Sequence, residues 1–187
     1  MTNSIKINHV KKSVLIYFFL FIQISSFAQQ KNGVAFFTTD FNLTFKVNED
    51  FEFGRNNNQN FFIPTEILLR VGFGYEFKKK LALSFNTGFD HHFDYSIGTI
   101  PTYIAFQYNI WSRDEDAFFI RFNAGRLWRF ADRFSDGDYR AYGIGWRIDN
   151  GNKWKPIIKL MYHQKKVKNF ENGQINNVSL GVGFSLY

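Results

Sequence analysis

The chain has 187 residues, a formal charge of +7 and no cysteine, and one residue in five is aromatic. Its length fits a single domain. The lack of cysteine excludes a disulfide framework and a thiolate metal site. Lysine and arginine are scattered along the sequence, which argues against a nucleic-acid surface.

The first 28 residues have the features of a cleaved secretory signal. Three lysines precede an apolar run at residues 14–22, and small residues stand at Ser26 and Ala28. The run is too short for a membrane-spanning helix, which needs about 20 apolar residues. We therefore expect cleavage after Ala28, with residues 29–187 forming one barrel domain. Loss of the three lysines lowers the formal charge to +4.

From Val34 onward, eight stretches alternate apolar and polar residues with a period of two. Successive side chains of a β-strand point to opposite faces, so each stretch predicts a strand with one apolar face. The pattern predicts an all-β fold, an eight-stranded antiparallel barrel. In chain order, the apolar faces carry Phe37, Phe41, Leu43 and Phe45; Ile67, Leu69, Val71, Phe73, Tyr75 and Phe77; Leu81, Leu83, Phe85 and Phe89; Ile104, Phe106, Tyr108 and Ile110; Phe118, Ile120, Phe122 and Trp128; Tyr142, Ile144, Trp146 and Ile148; Trp154, Ile158, Leu160 and Tyr162; Val178, Leu180, Val182, Phe184 and Leu186.

Alternation alone does not say whether the apolar face points inward, as in a soluble barrel, or outward into lipid. The connections alternate in length, with longer ones at 48–63, 93–99, 131–138 and 166–174 and tight ones at 78–80, 112–116 and 150–153. Long loops on one rim and short turns on the other are typical of outer-membrane barrels. Aromatic residues near both rims predict the girdles of a membrane protein surrounded by outer-membrane lipid and lipopolysaccharide. The girdle residues are Tyr75, Trp111, Trp128, Trp146, Trp154 and Tyr187.

Glycine pairs and charged residues mark the opposite, polar face. The pairs Gly72/Gly74, Gly143/Gly145 and Gly181/Gly183 would leave room inside a narrow barrel for long side chains from across the lumen. Charged residues of both signs predict a salt-bridged plug, with conduction through a polar lumen as the alternative. The predicted lumen network comprises Glu66, Arg70, Glu76, Asp90, Arg121, Arg147 and Lys159, with Asp40, Arg129 and Lys155 on the same face.

Two basic features lie outside that network. Alternation places Arg126 on the lipid side, where we expect it to reach the nearby rim, a bulge at Gly125 being the alternative. The basic runs at residues 78–80 and 165–168 are both interpreted as solvated turns.

Eight strands, an export signal and the terminal aromatic Tyr187 resemble the small outer-membrane barrels of the OmpA/OmpX type. The resemblance covers the whole mature chain. It implies insertion by the barrel-assembly machinery, which recognises the last strand of such proteins.

Two segments carry residue types used in catalysis or metal binding. In residues 90–94 the adjacent His91 and His92 point to opposite faces of a strand, so they do not share one ion. The segment 162–165 resembles the histidine motif of the outer-membrane lipid A deacylases, with His163 at the histidine and Glu171 as a candidate acid. Lys165 stands where that family has its nucleophilic serine, which removes the attacking group.

The sequence therefore predicts a non-enzymatic barrel without cofactor or metal. Its role would be structural or adhesive, and its external loops, chiefly residues 48–63, would contact other molecules. A lipid A deacylase-like hydrolase and a narrow pore are the alternatives.

Overall fold

The computed structural model describes residues 33–47, 62–93, 97–114, 116–128, 136–167 and 173–187. They form eight antiparallel strands that close into one barrel, in which each strand pairs with its sequence neighbours and the first pairs with the last. The predicted eight-stranded antiparallel barrel is confirmed. The strands are β1 (Gly33–Val47), β2 (Phe62–Phe77), β3 (Leu81–His92), β4 (Ile97–Arg113), β5 (Asp116–Trp128), β6 (Gly137–Arg147), β7 (Trp154–Val167) and β8 (Gln174–Leu186).

The strands are staggered as they close. A path of paired residues that leaves β1 at Ala35 and crosses every strand returns to β1 at Phe45, ten residues further along. This stagger tilts the strands against the barrel axis, and eight strands enclose only enough space for side chains.

The barrel has an apolar outside and a polar inside. Large apolar side chains such as Phe85 (59% exposed) and Ile104 (56%) cover the outer wall, whereas charged side chains such as Glu66 and Asp90 are at most 2% exposed in the lumen. A surface of this kind is stable only in lipid, where apolar exposure costs nothing. Among the residues described, no helix is long and apolar enough to cross a bilayer.

Irregular pairing changes the outward face at one girdle position. The register between β4 and β5 shifts between Asn109 and Trp111. As a result Trp111 points outward although alternation alone would turn it inward, and its ring lies 6.4 Å from that of Trp146. The β4–β5 register shows no such shift at Gly125, so alternation continues and Arg126 is exposed on the outer wall.

Of the two basic runs interpreted as turns, one was assigned wrongly. Lys78 and Lys79 do form an exposed turn, with φ angles of 49° and 57°. Lys165 and Lys166, in contrast, belong to β7, because pairing with β6 and β8 continues through them. Lys165 is consequently turned into the lumen, where it is 3% exposed.

Candidate functional site

A charged cluster fills the lumen near the long loops. This loop-end network consists of Glu66 and Arg70 on β2, Asp90 on β3, Lys165 on β7 and Asn177 on β8. Lys165 forms ion pairs with Glu66 and with Asp90, the latter at 2.7 Å, and Arg70 forms an ion pair with Asp90. The Asn177 amide donates to Glu66 at 3.1 Å. Two carboxylates thus face two cations, and each charge is compensated within the protein.

The energetic weight of this network comes from its burial. All four charged side chains are at most 3% exposed. Each would lose several kcal/mol of hydration if it had no partner, so the network depends on all its members being present.

A hydrogen-bonded chain runs beside the loop-end network. The Tyr139 hydroxyl lies 2.9 Å from His163 Nδ1, and His163 Nε2 lies 2.7 Å from the Ser179 hydroxyl. All three residues are at most 4% exposed. The centres of the Tyr139 and Tyr103 rings are 5.0 Å apart. The Arg70 guanidinium lies over the Tyr139 ring, 5.9 Å from its centre. The chain thus links the ionic network to the packed aromatic part of the lumen.

A second charged cluster lies at the opposite end of the lumen. This short-turn network consists of Glu76 on β2, Arg147 on β6 and Tyr187. Arg147 binds both oxygens of Glu76, at 2.5 and 3.2 Å. The Tyr187 hydroxyl donates to Glu76 at 3.2 Å and accepts a hydrogen bond from Arg147. β2 and β6 are four strands apart in an eight-stranded barrel, so this bond crosses the full lumen.

Tyr187 was assigned to the aromatic girdle, and that assignment is wrong. Its ring stacks on lumen-facing Phe36 at 5.5 Å, and the Arg147 guanidinium lies 4.9 Å from its centre. The reason is alternation along β8, where Gly183 and Ser185 point inward and the next odd-numbered residue does the same.

The other girdle residues lie on the outer wall as the sequence placed them. Four tryptophans are 47–50% exposed there, and Tyr75 is half-buried with its ring 4.6 Å from that of Phe77. The four are Trp111, Trp128, Trp146 and Trp154.

Between the two networks lie a buried ion pair and a buried arginine. Lys159 is 2.5 Å from Asp40. Arg121 donates instead to the amide oxygens of Asn123 and Asn86, at 3.1 and 3.2 Å, and pairs with no carboxylate among the described residues. The predicted lumen network therefore has three ionic parts and one amide-bound cation.

Lys155 lies at the short-turn rim, where it donates to Asp149 at 2.7 Å. That hydrogen bond, together with one from the Gly151 N–H, holds the pKa of the Asp149 carboxyl below its usual value.

Glycines make the dense interior possible, although not in the way the sequence suggested. A Cβ on Gly72 would lie 2.0 Å from Oδ1 of Asn86, and one on Gly181 would lie 1.8 Å from Oδ1 of Asn42. Both amides belong to residues paired directly with the glycine on the adjacent strand. The room is therefore filled by strand neighbours and not by side chains from across the lumen.

Several sequence candidates do not form part of these clusters. His91 is exposed on the outer wall, whereas Asp90 and His92 point inward. Across the described ranges, no three histidine, aspartate or glutamate side chains are placed to hold a metal. Arg129, Glu171 and the loop at 48–61 lie outside the described residues.

Three members of the interior were missed or misread from the sequence. Ser179 and Tyr139 lie at inward positions of β8 and β6, so the alternation of side chains along these strands could have identified them. Lys165 was hidden because a basic run at the end of a strand is indistinguishable from a turn until the pairing is known.

Comparison with known proteins decides the fold family. No protein-family model matches the chain, and no curated protein sequence is similar to it. The crystal structure of Neisserial surface protein A is similar, with a TM-score of 0.58 and 10% identity over 81% of this chain and 96% of that one. The chain has the fold of the small eight-stranded outer-membrane β-barrels.

Two further solved barrels match less closely. The outer-membrane protein Ail of Yersinia pestis is 13% identical over 80% of this chain and 99% of that one, with a TM-score of 0.42. A de novo designed transmembrane β-barrel is 13% identical over 84% of this chain and 98% of that one, with a TM-score of 0.45. The similarity to Neisserial surface protein A, with its TM-score of 0.58, confirms the predicted fold of a small outer-membrane barrel.

Proposed function

We propose that this outer-membrane barrel is a non-enzymatic, sealed scaffold whose external loops have a structural, adhesive or surface-binding role. Export with cleavage after Ala28 and insertion by the barrel-assembly machinery belong to the same proposal. The observation that carries it is the interior, where paired charges bridge separate strands at both ends of the lumen.

The ion pairs of the two networks connect strands on different sides of the barrel. Glu76 and Arg147 join opposite walls near the short turns, and Glu66 and Lys165 join walls three strands apart near the loops. A solute would have to displace both pairs, and each displaced charge would lose its compensation. This supports a scaffold over a narrow pore.

Because side chains fill the lumen, we expect other molecules to contact the loops and turns at the two ends of the barrel. Loops on a rigid scaffold are where binding functions concentrate. The largest connection, residues 48–61, lies outside the described residues and is the first segment to test.

Replacing residues 48–61 with a short turn tests the role of the loops. Cells that express the variant should adhere less to surfaces and capture fewer partners than cells with the wild-type protein. A matched variant with Lys78→Gln at the opposite rim should behave like the wild type. Equal adhesion and equal partner capture in all three strains, with the barrel present at equal amounts, would contradict an adhesive or surface-binding role of this loop.

A hydrolase is the second candidate, because Ser179, His163 and Tyr139 have the connectivity of a serine, a base and an orienting group. The placement argues for a structural role. Ser179 has no exposed surface, and a phenol takes the place of the carboxylate that usually supports the base. A lipid substrate outside the barrel would not reach this hydroxyl.

Lipid A mass tests the hydrolase directly. The barrel is expressed in a host with unmodified lipid A, and the extracted lipid is weighed. We expect no acyl chain to be lost. Loss of one acyl chain with the wild type, but not with Ser179→Ala or His163→Ala, would overturn the non-enzymatic proposal.

A further inference from the structure

Three cations stand together on the outer wall near the long loops. Arg126 on β5 and Lys166 on β7 are each paired in register with Asp138 on β6, one on either side, and Arg140 lies two residues further along the same face of β6. All four are exposed. We call these residues the basic wall patch; it carries three positive charges around one negative charge.

The position of the patch is costly unless it lies at the membrane surface. A cation on the lipid face costs about 2–4 kcal/mol at mid-bilayer and about 0–1 kcal/mol near the interface. The row next to Arg140 toward the membrane centre contains Tyr142 and Tyr162, whose rings are 5.4 Å apart. Paired tyrosines are typical of the headgroup level. The basic wall patch, one row further from the membrane centre, therefore lies at the membrane surface.

Within the described part of the chain, the charges of the patch are not consumed by the protein. Arg126, Arg140 and Lys166 make no ion pair or side-chain hydrogen bond with another described residue. This distinguishes them from the cations of the lumen, each of which has a carboxylate or an amide as partner. Their charge is available to a ligand.

A cleft accompanies the patch. Its volume is about 530 Å³, and Arg126, Lys166, Asp136 and Asp138 line it. Cations can bind phosphate oxygens, and neighbouring carboxylates can accept hydrogen bonds from sugar hydroxyls. The mixed lining thus suits a phosphorylated sugar better than a simple anion.

On the opposite side of the barrel, the described residues form a largely apolar surface. At the loop end of β1 and β3 the outward residues include Phe41, Phe89 and Phe93, all more than 40% exposed. Single polar residues such as Lys46 and His91 are also exposed there, but within the described ranges the outward cluster of three cations lies on the wall of β5, β6 and β7.

We propose that the basic wall patch binds the phosphorylated glucosamine headgroup of lipid A in the outer leaflet. Long loops face the exterior in this class of barrel, so a patch on their rim meets the outer leaflet. Because the cations are on the wall and not in the lumen, the ligand reaches them from the bilayer. This inference goes beyond the scaffold role and does not depend on it.

The test measures binding of purified lipid A to the refolded barrel by native mass spectrometry. The variant Arg126→Gln/Arg140→Gln/Lys166→Gln removes the patch, and Lys78→Gln/Lys80→Gln/Lys153→Gln removes the same charge from exposed positions at the opposite rim. Each cation near an anionic lipid surface strengthens binding by about fivefold. We therefore expect binding to weaken by about 100-fold in the patch variant and to stay unchanged in the control.

Three further arms decide the chemistry. The variant Arg126→Lys/Arg140→Lys keeps the charge and should retain most of the binding, which separates loss of contact from loss of folding. Dephosphorylated lipid A should bind as weakly to the wild type as intact lipid A binds to the patch variant. Inorganic phosphate at millimolar concentration should not displace lipid A.

Equal lipid A binding by the patch variant and the control would overturn the proposal. So would undiminished binding of dephosphorylated lipid A. Efficient displacement by inorganic phosphate would also overturn it, because the patch would then be a site for a soluble anion.

Discussion

The two ends of the lumen are closed by different chemistry. At the loop end an ammonium, Lys165, is shared by two carboxylates that are almost without exposure. At the short-turn end a guanidinium, Arg147, binds one carboxylate with both arms and is helped by the Tyr187 phenol. A small cleft of about 230 Å³ reaches the short-turn network and is lined by Glu76, Arg147 and Tyr187. Water from this cleft can therefore solvate a group that loses its partner there.

The largest expected effect belongs to Lys165. Lys165→Met removes the cation that Glu66 and Asp90 share, and it leaves one of the two buried carboxylates without a counter-charge. We expect a loss of about 3–5 kcal/mol in the free energy of unfolding. Denaturant titration of the barrel in lipid vesicles measures it.

The adjacent residue supplies the control. Lys166→Met changes the same residue type on the outer wall and should shift the unfolding free energy by no more than about 0.5 kcal/mol. If the two variants were equally stable, Lys165 would not have the role assigned to it.

Arg147 should have a smaller effect. Arg147→Met leaves Glu76 without a counter-charge, but the Tyr187 hydroxyl still donates to that carboxylate and water from the short-turn cleft can solvate it. The expected loss is about 2 kcal/mol. Arg113→Met, at the exposed end of β4, serves as the control and should be close to neutral. A loss larger than that of Lys165→Met would reverse the ranking of the two ends.

Tyr187→Phe tests the smallest contribution to the short-turn network. It removes one hydroxyl that bonds to Glu76 and Arg147, which should cost about 1 kcal/mol. Tyr108→Phe on the lipid-facing wall should change the unfolding free energy by less. Equal losses of unfolding free energy in the two variants would contradict a role of the Tyr187 hydroxyl in the lumen and favour its assignment to the aromatic girdle.

Strand parity, the alternation of inward and outward side chains along a strand, explains how many of the lumen residues could be predicted from the sequence. It assigned Glu66 and Arg70 of β2 and Asp90 of β3 to the lumen, because each alternates with outward apolar residues of the same strand. Two residues at strand ends were assigned wrongly, for different reasons. Lys165 was taken for a turn residue because the hydrogen bonds that extend a strand come from its partners and not from its own residues. Tyr187 was assigned to the girdle by residue type, although alternation along β8 turns it inward.

The pairing of charges could not be predicted at all. Parity places Arg121 and Arg147 alike in the lumen, yet only Arg147 meets a carboxylate, and Arg121 bonds to two amides. Which side chains meet across the barrel depends on the ten-residue stagger, and that stagger is a property of the closed sheet.

Electrical recording in planar bilayers tests the sealed lumen most directly. With both the loop-end and the short-turn network intact, the wild-type barrel should show no steady single-channel steps at moderate voltage, because paired side chains interrupt the path of water. The double variant Lys165→Ala/Arg147→Ala, inserted under the same conditions, should show higher conductance and so confirm that insertion is detectable. Large, stable steps from the wild-type protein would contradict the account, since they require a continuous aqueous path through both networks.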